Sequence, residues 1–438
     1  MIHFDQARHA CLDAIRDLVA SEETIQRAVL IDDIFGRIRV VAWIAGDAQE
    51  RLRRRIDEEL SKAGGPFWSG DVWMSNGTAD PDEAVYEAAW EQAVEVSVKL
   101  RLANRFRSKG FWLTTPDEPA WPTPRPPVIA FYSFKGGVGR TTAAASFAIQ
   151  RARAGERVAV VDLDLEAPGI GTLLDPGEGL PGAEWGVLDY LLERPVIPER
   201  LDLRDYYHAC AREAVTGSGE ILVIPAGRQD SGFLAKLSRV DLEPPPPLEQ
   251  HPLLQLLEQV RDDLQPQWIL LDCRAGISEA AGFVLSGLSH LTVLFGTTSE
   301  QSWLGLRIIL ERLGKERVLQ GRPQLECLLV HAMAPADPET RSRAEADFGS
   351  RSEDEFTDSY YASDPPSPEE DDFWYVRDKE DEFAPHSPAS LPYKSELAFV
   401  KSIDTVADAL ARDADYQNLA KRIAERFSGP DDTDGLES

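Results

Sequence analysis

At 438 residues, with 43% hydrophobic content, the chain can bury the core of one large α/β domain and a smaller second one. Its formal charge of −29 argues against direct binding to DNA, RNA or anionic lipid, which carry the same sign. Cys11, Cys210, Cys273 and Cys327 lack disulfide or zinc-ligand spacing, the opening stretch has no signal-peptide core, and no apolar run approaches the ~20 residues of a membrane span, so a cytoplasmic chain is expected.

The chain opens on an amphipathic helix, "FDQARHACLDAIRDLVASEE", followed by a β-rich run, "RIRVVAWIAG", and a charged helix around "DAQERLRRRIDEELSKAG". The arginines near residue 54 are flanked by carboxylates and read as a solvated helix face. After "GPFWSGDVWM", one long helix is expected over residues 81–110. Phe67, Trp68 and Trp73 are read as core aromatics rather than a recognition surface. Together these elements predict a small α+β domain over residues 1–115.

"TTPDEPAWPTPRPP", with six prolines in fourteen residues, predicts an extended linker, placed at 116–127. From residue 128 to 428, apolar runs alternate with helical patterns. The runs are "VIAFYSF", "RVAVVDLDL", "EILVIPAG", "QWILLDC", "LTVLFGT" and "LECLLVHA"; the helices fall at 141–154, 185–193, 252–263, 277–289 and 300–314. Near-continuous apolar strands between helices predict an α/β fold, a mostly parallel sheet with helices on both faces. Residues 351–384 hold 13 acidic and 3 basic side chains and read as an acidic insertion, either disordered or a docking surface, with aromatics favouring partial order. "YQNLAKRIAERF" predicts an amphipathic helix packed on the domain, and 429–438 a disordered tail.

The chemistry concentrates in "FKGGVGRTT". Gly136, Gly137, Val138 and Gly139 can curl backbone amides around an anion, and the helix that follows turns its positive end toward it. Lys135 and Arg140 are the nearby cations, and the hydroxyl of Thr141 is the metal candidate. The common pattern GxxxxGK[ST] fails twice, at Phe134 and at Arg140. "VVDLDLEAPG" places Asp162 and Asp164 at the carboxyl end of a strand, where open α/β sheets bind ligands; "WILLDCRAG" does the same for Asp272. Each aspartate alone is an ordinary loop or cap residue; jointly with the loop they form a specific set.

The segments "KGGVGRTT", "VVDLDLEAPG", "VIPAG" and "LLDCRAG" resemble the deviant Walker-A ATPases related to ParA and MinD, SIMIBI-class P-loop proteins, in a branch whose loop reads KGGVGR. The likeness covers roughly 128–345 and resumes at "LPYKSELAF". It implies ATP and Mg²⁺ as ligands and an ATP-dependent homodimer in which Lys135 reaches the partner's phosphates. It further implies that Arg140 replaces the usual lysine, Thr141 and Asp272 serve the metal with Asp162 as a secondary candidate, Thr142 meets the α-phosphate and Asp164 positions the attacking water. Arginine is bulkier and planar, so the exchange bears on hydrolysis. "LLVHAMAPAD" lacks the asparagine that relatives often use to read adenine, and a guanine-reading NKxD motif is absent. The branch resembles components of bacterial conflict or defence loci, implying a slow, partner-stimulated ATP hydrolase that acts as a regulatory subunit, its protein partner met through the N-terminal domain or the acidic insertion. The alternatives are a non-hydrolysing nucleotide-binding assembly module and a bacterial tyrosine kinase modified at Tyr360, Tyr361 or Tyr375.

Overall fold

The structure is a computed structural model. It describes residues 2–44, 48–75, 82–106, 108–113, 125–177, 179–240, 242, 250–365, 372–397 and 402–428. They form two compact units, Met1–Ser108 and Lys109–Ser438. Most of the proline-rich stretch (114–124), the "PPPPLE" run, part of the acidic stretch (366–371), the end of "LPYKSELAF" and the tail lie outside the described residues.

In the first unit, α1 (Phe4–Ser21) leads into β1 (Ile25–Asp32) and β2 (Ile38–Ile44), then α2 (Gln49–Gly64), β3 (Trp68–Ser75) and α3 (Glu83–Glu91). The expected long helix over 81–110 is wrong: it stops at Glu91, and β4 (Val94–Ser97) and β5 (Leu100–Asn104) follow as an antiparallel pair. "VEVSVKLRLAN" alternates with a period of two, which suits a strand better than a helix. The decisive partner is β1, which pairs with β5 in parallel from Ala28↔Leu100 to Asp32↔Asn104. β1 itself, between the first helix and "RIRVVAWIAG", is a strand that the sequence reading passed over. The sheet order is β3-β2-β1-β5-β4. Ala28, Leu30, Val40 and Ala42 face one core with Cys11, Ile15, Leu52 and Ile56, whereas Val29, Ile31, Val41 and Trp43 face a smaller one with Ala89. Alternate residues of one strand thus serve two faces. Trp68 is buried as expected, but Trp73 is 38% exposed and lies beneath the Arg39 guanidinium, 5.5 Å from the ring centroid.

The second unit carries β6 (Val128–Ser133), α4 (Arg140–Arg153), β7 (Arg157–Leu163), β8 (His208–Ala209), β9 (Glu220–Ile224), β10 (Trp268–Cys273), β11 (Leu291–Gly296), β12 (Cys327–Ala334) and β13 (Ala389–Pro392). Its sheet runs β13-β12-β11-β6-β10-β7-β9-β8, parallel throughout except for the β8–β9 pair. Every residue of β6 is buried. Val128, Ala130 and Tyr132 enter the core on one face, Ile129 and Phe131 that on the other. Burial on both faces explains why these strands read as continuous apolar runs rather than alternating ones. Helix α4 and the C-terminal helix α5 (Ala414–Glu425) cover the second face; Tyr416, Leu419, Ala420 and Ile423 of α5 are buried there.

The first part of the acidic stretch belongs to a long helix, Pro338–Ser359, whose Phe348 and Phe356 are fully buried. Tyr360 is 0% exposed and donates its hydroxyl to the Leu325 carbonyl at 2.9 Å; Tyr361 and Tyr375 are also buried. None of the three offers the exposed hydroxyl that the kinase alternative requires. All four cysteines are buried free thiols, and among the described residues no helix is long and apolar enough to cross a membrane.

Candidate functional site

The site forms at the carboxyl edge of the parallel sheet, where β6, β7 and β10 end side by side. Register decides this: Asp272 pairs with Phe131 of β6 on one side and with Asp162 of β7 on the other. A buried apolar strand ending on a polar residue puts that residue at the rim, where it meets the loop between β6 and α4.

That loop turns because two of its glycines take left-handed backbone, Gly137 at φ +73° and Gly139 at φ +83°. A Cβ on either would meet nothing within 4 Å, so conformation rather than space demands glycine here. Gly139 is the N-cap of α4 and supplies no side-chain cap. The first-turn amides of a 14-residue helix therefore lack a capping side chain at the place where the helix dipole favours an anion. Val138 is buried, Gly136 and Gly137 are exposed, and Thr142 is half-buried on the first turn of α4. Lys135 is exposed and forms no hydrogen bond or ion pair among the described residues.

Arg140 turns inward. It is 9% exposed, and its guanidinium joins three strand ends: Nε donates to Asp272 Oδ1 at 3.3 Å, one Nη to Ser133 Oγ at 3.2 Å and the other to Asp164 Oδ2 at 3.2 Å. Thr141 Oγ1 donates to Asp272 Oδ2 at 2.8 Å. Burial raises the Asp272 carboxyl above its ordinary value, while the charge of Arg140 and the Thr141 hydroxyl act against that rise. Asp164 also accepts from the Ala167 amide at 3.1 Å. Asp162 is spent on the backbone: Oδ1 accepts from the Asp164 amide at 3.2 Å, and Oδ2 from the amides of Gly169 and Gly171 at 3.2 and 3.4 Å. Burial, then the neighbouring Asp272, pushes its pKa up to about 7.

Beside the loop lies a cavity of about 390 Å³, lined on one side by Ser133 and residues 137–142. Its far side is Met333, Leu391, Pro392, Tyr393, Lys394 and Tyr416. Sequence reasoning named none of these. They lie in the segments "LLVHAMAPAD", "LPYKSELAF" and "YQNLAKRIAERF". Met333 adopts φ +57°, unusual for a side chain of its size, at the end of β12. Lys394 is anchored to Asp413 and, at 3.1 Å, to Asp415, with its ammonium 5.7 Å from the Tyr416 ring centroid. In "LLVHAMAPAD", where relatives often place an asparagine, His331 is buried and stacked on Phe348 at 4.2 Å.

A divalent cation suits the pair formed by Thr141 Oγ1 and Asp272 Oδ2, both hard oxygen donors. Among the described residues no group of three His, Cys, Asp or Glu side chains could hold a metal by itself. The arrangement therefore fits a cation shared with a ligand's own oxygens.

The model of the CobQ/CobB/MinD/ParA nucleotide binding domain matches residues 129–329. Two uncharacterised ATP-binding proteins of Methanocaldococcus jannaschii are each 26% identical, over 236 and 233 residues; the alignments cover 50% and 49% of this chain and 77% and 76% of theirs. Among solved structures, pNOB8 ParA bound to nonspecific DNA is 16% identical at a TM-score of 0.43, covering 69% of this chain and 98% of that one. The septum site-determining protein MinD of Pyrococcus horikoshii, complexed with Mg-ADP, is 16% identical at 0.40, covering 69% and 96%. The matched segment holds the glycine loop and all three strand-end aspartates, and it is this segment that is similar to the CobQ/CobB/MinD/ParA nucleotide binding domain.

Proposed function

We propose that the chain is an ATP-dependent dimerisation switch, acting as a regulatory subunit of a bacterial conflict or defence system. The observation that carries the reading is the convergence of Arg140, Thr141, Asp164 and Asp272 beneath an uncapped glycine loop, beside a cavity deep enough to continue to Tyr393 and Tyr416. The two relatives named ATP-binding support ATP as the nucleotide. In this reading the amides of residues 136–142 hold the phosphates, with the Thr142 hydroxyl at the α-phosphate. The exposed and unpaired Lys135 extends toward the phosphates of a second subunit. Asp164 orients the attacking water, which requires Arg140 to share or release it. Mg²⁺ would supply Lewis-acid charge at the β- and γ-phosphate oxygens, with Thr141 and Asp272 holding it. Asp162, the secondary metal candidate, takes the part of organising the 164–171 loop because both its oxygens already accept backbone amides. The first unit, or the acidic stretch near Glu353, receives the protein partner.

One observation favours a second reading, a non-hydrolysing module in which nucleotide only stabilises an assembly: Asp164 is tied to Arg140 and to the Ala167 amide. Steady-state ATPase assays on wild type and Asp164→Ala separate the two. A measurable wild-type rate that falls by about 100-fold or more in the variant supports the switch. Equal inertness with ATP still bound supports the module. Dimer formation with ATP, followed by light scattering, should survive in Arg140→Lys and be lost in Lys135→Ala; ATP-driven dimers of Lys135→Ala would remove that residue from its role.

A further inference from the structure

β10 ends at Cys273, and residues 274–278 lead at once into the helix Glu279–Phe283. Gly276 takes left-handed backbone at φ +74° and is tied back to the end of β6. Its amide donates to the Ser133 carbonyl at 3.0 Å, and its carbonyl accepts the Tyr132 hydroxyl at 3.1 Å. A ligand that draws on Asp272 therefore acts on this loop as well. The same loop and helix receive residues 109–113, with which the second unit begins. Trp112 Nε1 donates to the Ser278 carbonyl at 2.6 Å, and Lys109 Nζ to Glu279 Oε2 at 2.8 Å. Phe111 is 3% exposed, its ring centroid 4.6 Å from that of Phe283. Gly282 makes room for the indole: a Cβ there would lie 2.6 Å from Trp112 Nε1.

We propose that Trp112 is a positioning residue for the loop that follows Asp272, and that through it occupation of the nucleotide site is transmitted to residue 109, where the chain leaves the first unit. The inference rests on the nucleotide-binding reading above. A hydrogen bond weakens steeply when stretched or bent, so the Ser278 carbonyl cannot shift without breaking the Trp112 bond or carrying the indole with it. Undocking of 109–113 leaves the Ser278 carbonyl, the Glu279 carboxylate and the Phe283 ring without these partners. The segment and the loop should therefore open together, as one local unit. A nucleotide that binds only the closed arrangement holds both shut.

Amide hydrogen exchange of the full chain tests this, with and without AMPPNP and Mg²⁺ at ten times each protein's own dissociation constant. At that concentration a ligand slows any opening that destroys its site by up to about elevenfold. In the wild type, exchange should slow by at least about threefold both at 274–283 and at 109–113. Trp112→Phe keeps a ring but loses the donor; there the slowing at 274–283 should persist while that at 109–113 falls below about threefold. Binding to the wild type without slowing at 109–113 overturns the proposal, as does slowing there that is equal in the variant. Thermal melting and calorimetric titration check that the variant folds and binds; should it do neither, the wild-type comparison decides alone. Absence of AMPPNP binding to the wild type overturns the nucleotide-binding reading and this inference with it, a result distinct from binding that 109–113 does not feel.

Discussion

Arg140 and Phe134 are the two residues at which the loop departs from the common pattern, and both have a structural partner. Arg140 is matched to two carboxylates. Phe134 is matched to a glycine: a Cβ on Gly305, in the helix Glu300–Leu310, would lie 2.1 Å from the Phe134 ring. The bulky residue at the root of the loop is therefore accommodated by the absence of a side chain opposite. Gly305→Ala should push the ring aside, destabilise the protein by about 1–3 kcal/mol in urea unfolding and weaken nucleotide binding together with it. Unchanged stability and affinity would show that the contact does not hold the loop root in place.

Among elements, the helix Pro252–Gln259 shows how burial replaces solvent in capping. Its N-cap is His251, whose Nδ1 accepts from the Leu253 amide at 3.1 Å. The ring is 1% exposed and packs 3.9 Å from Phe283. Burial pushes its pKa from the ordinary 6.5 down to about 4, against the pull of a Leu242 hydrogen bond. Between those values the unfolded chain binds a proton that the folded one refuses, so stability rises with pH across the window and is lost as pH falls from 6.5 toward 4. His251→Asn keeps an acceptor for the Leu253 amide but does not titrate. Across that window the wild type should lose up to about 3 kcal/mol more than the variant in denaturant titrations. Parallel stability curves would place the acid sensitivity elsewhere.

At the scale of the molecule, each unit has its own core. The first closes around Ile15, Leu30, Val40, Ile56 and Trp68; the second around both faces of its eight-stranded sheet. A fragment of residues 1–108 should thus unfold cooperatively on its own, followed by circular dichroism in urea. A gradual, featureless melt would mean that its core is completed by the rest of the chain. The charge of −29 is dispersed over a surface where many carboxylates already pair with arginine, such as Glu300 with Arg351 and Glu355 with Arg307.

How much of this was legible beforehand depends on how local each signal is. The run of apolar strands, the helix after Gly139 and the aspartates closing β7 and β10 were readable because strand period, glycine chemistry and strand ends are carried by neighbouring residues. The helix expected over 81–110 failed because β5 is held by β1, a partner far back in the sequence that no local window contains. Tyr393, Lys394 and Tyr416 escaped notice for the same reason: they reach the loop only through the β12–β13 pairing and the packing of α5. By itself, then, the sequence determined a parallel α/β domain with a glycine loop between its first strand and helix, and named the residues around it. Only the tertiary structure decided that Arg140 turns away from solvent onto Asp164 and onto Asp272, 132 positions along the chain, because the charge balance of a buried site is set by which strand ends the sheet brings together.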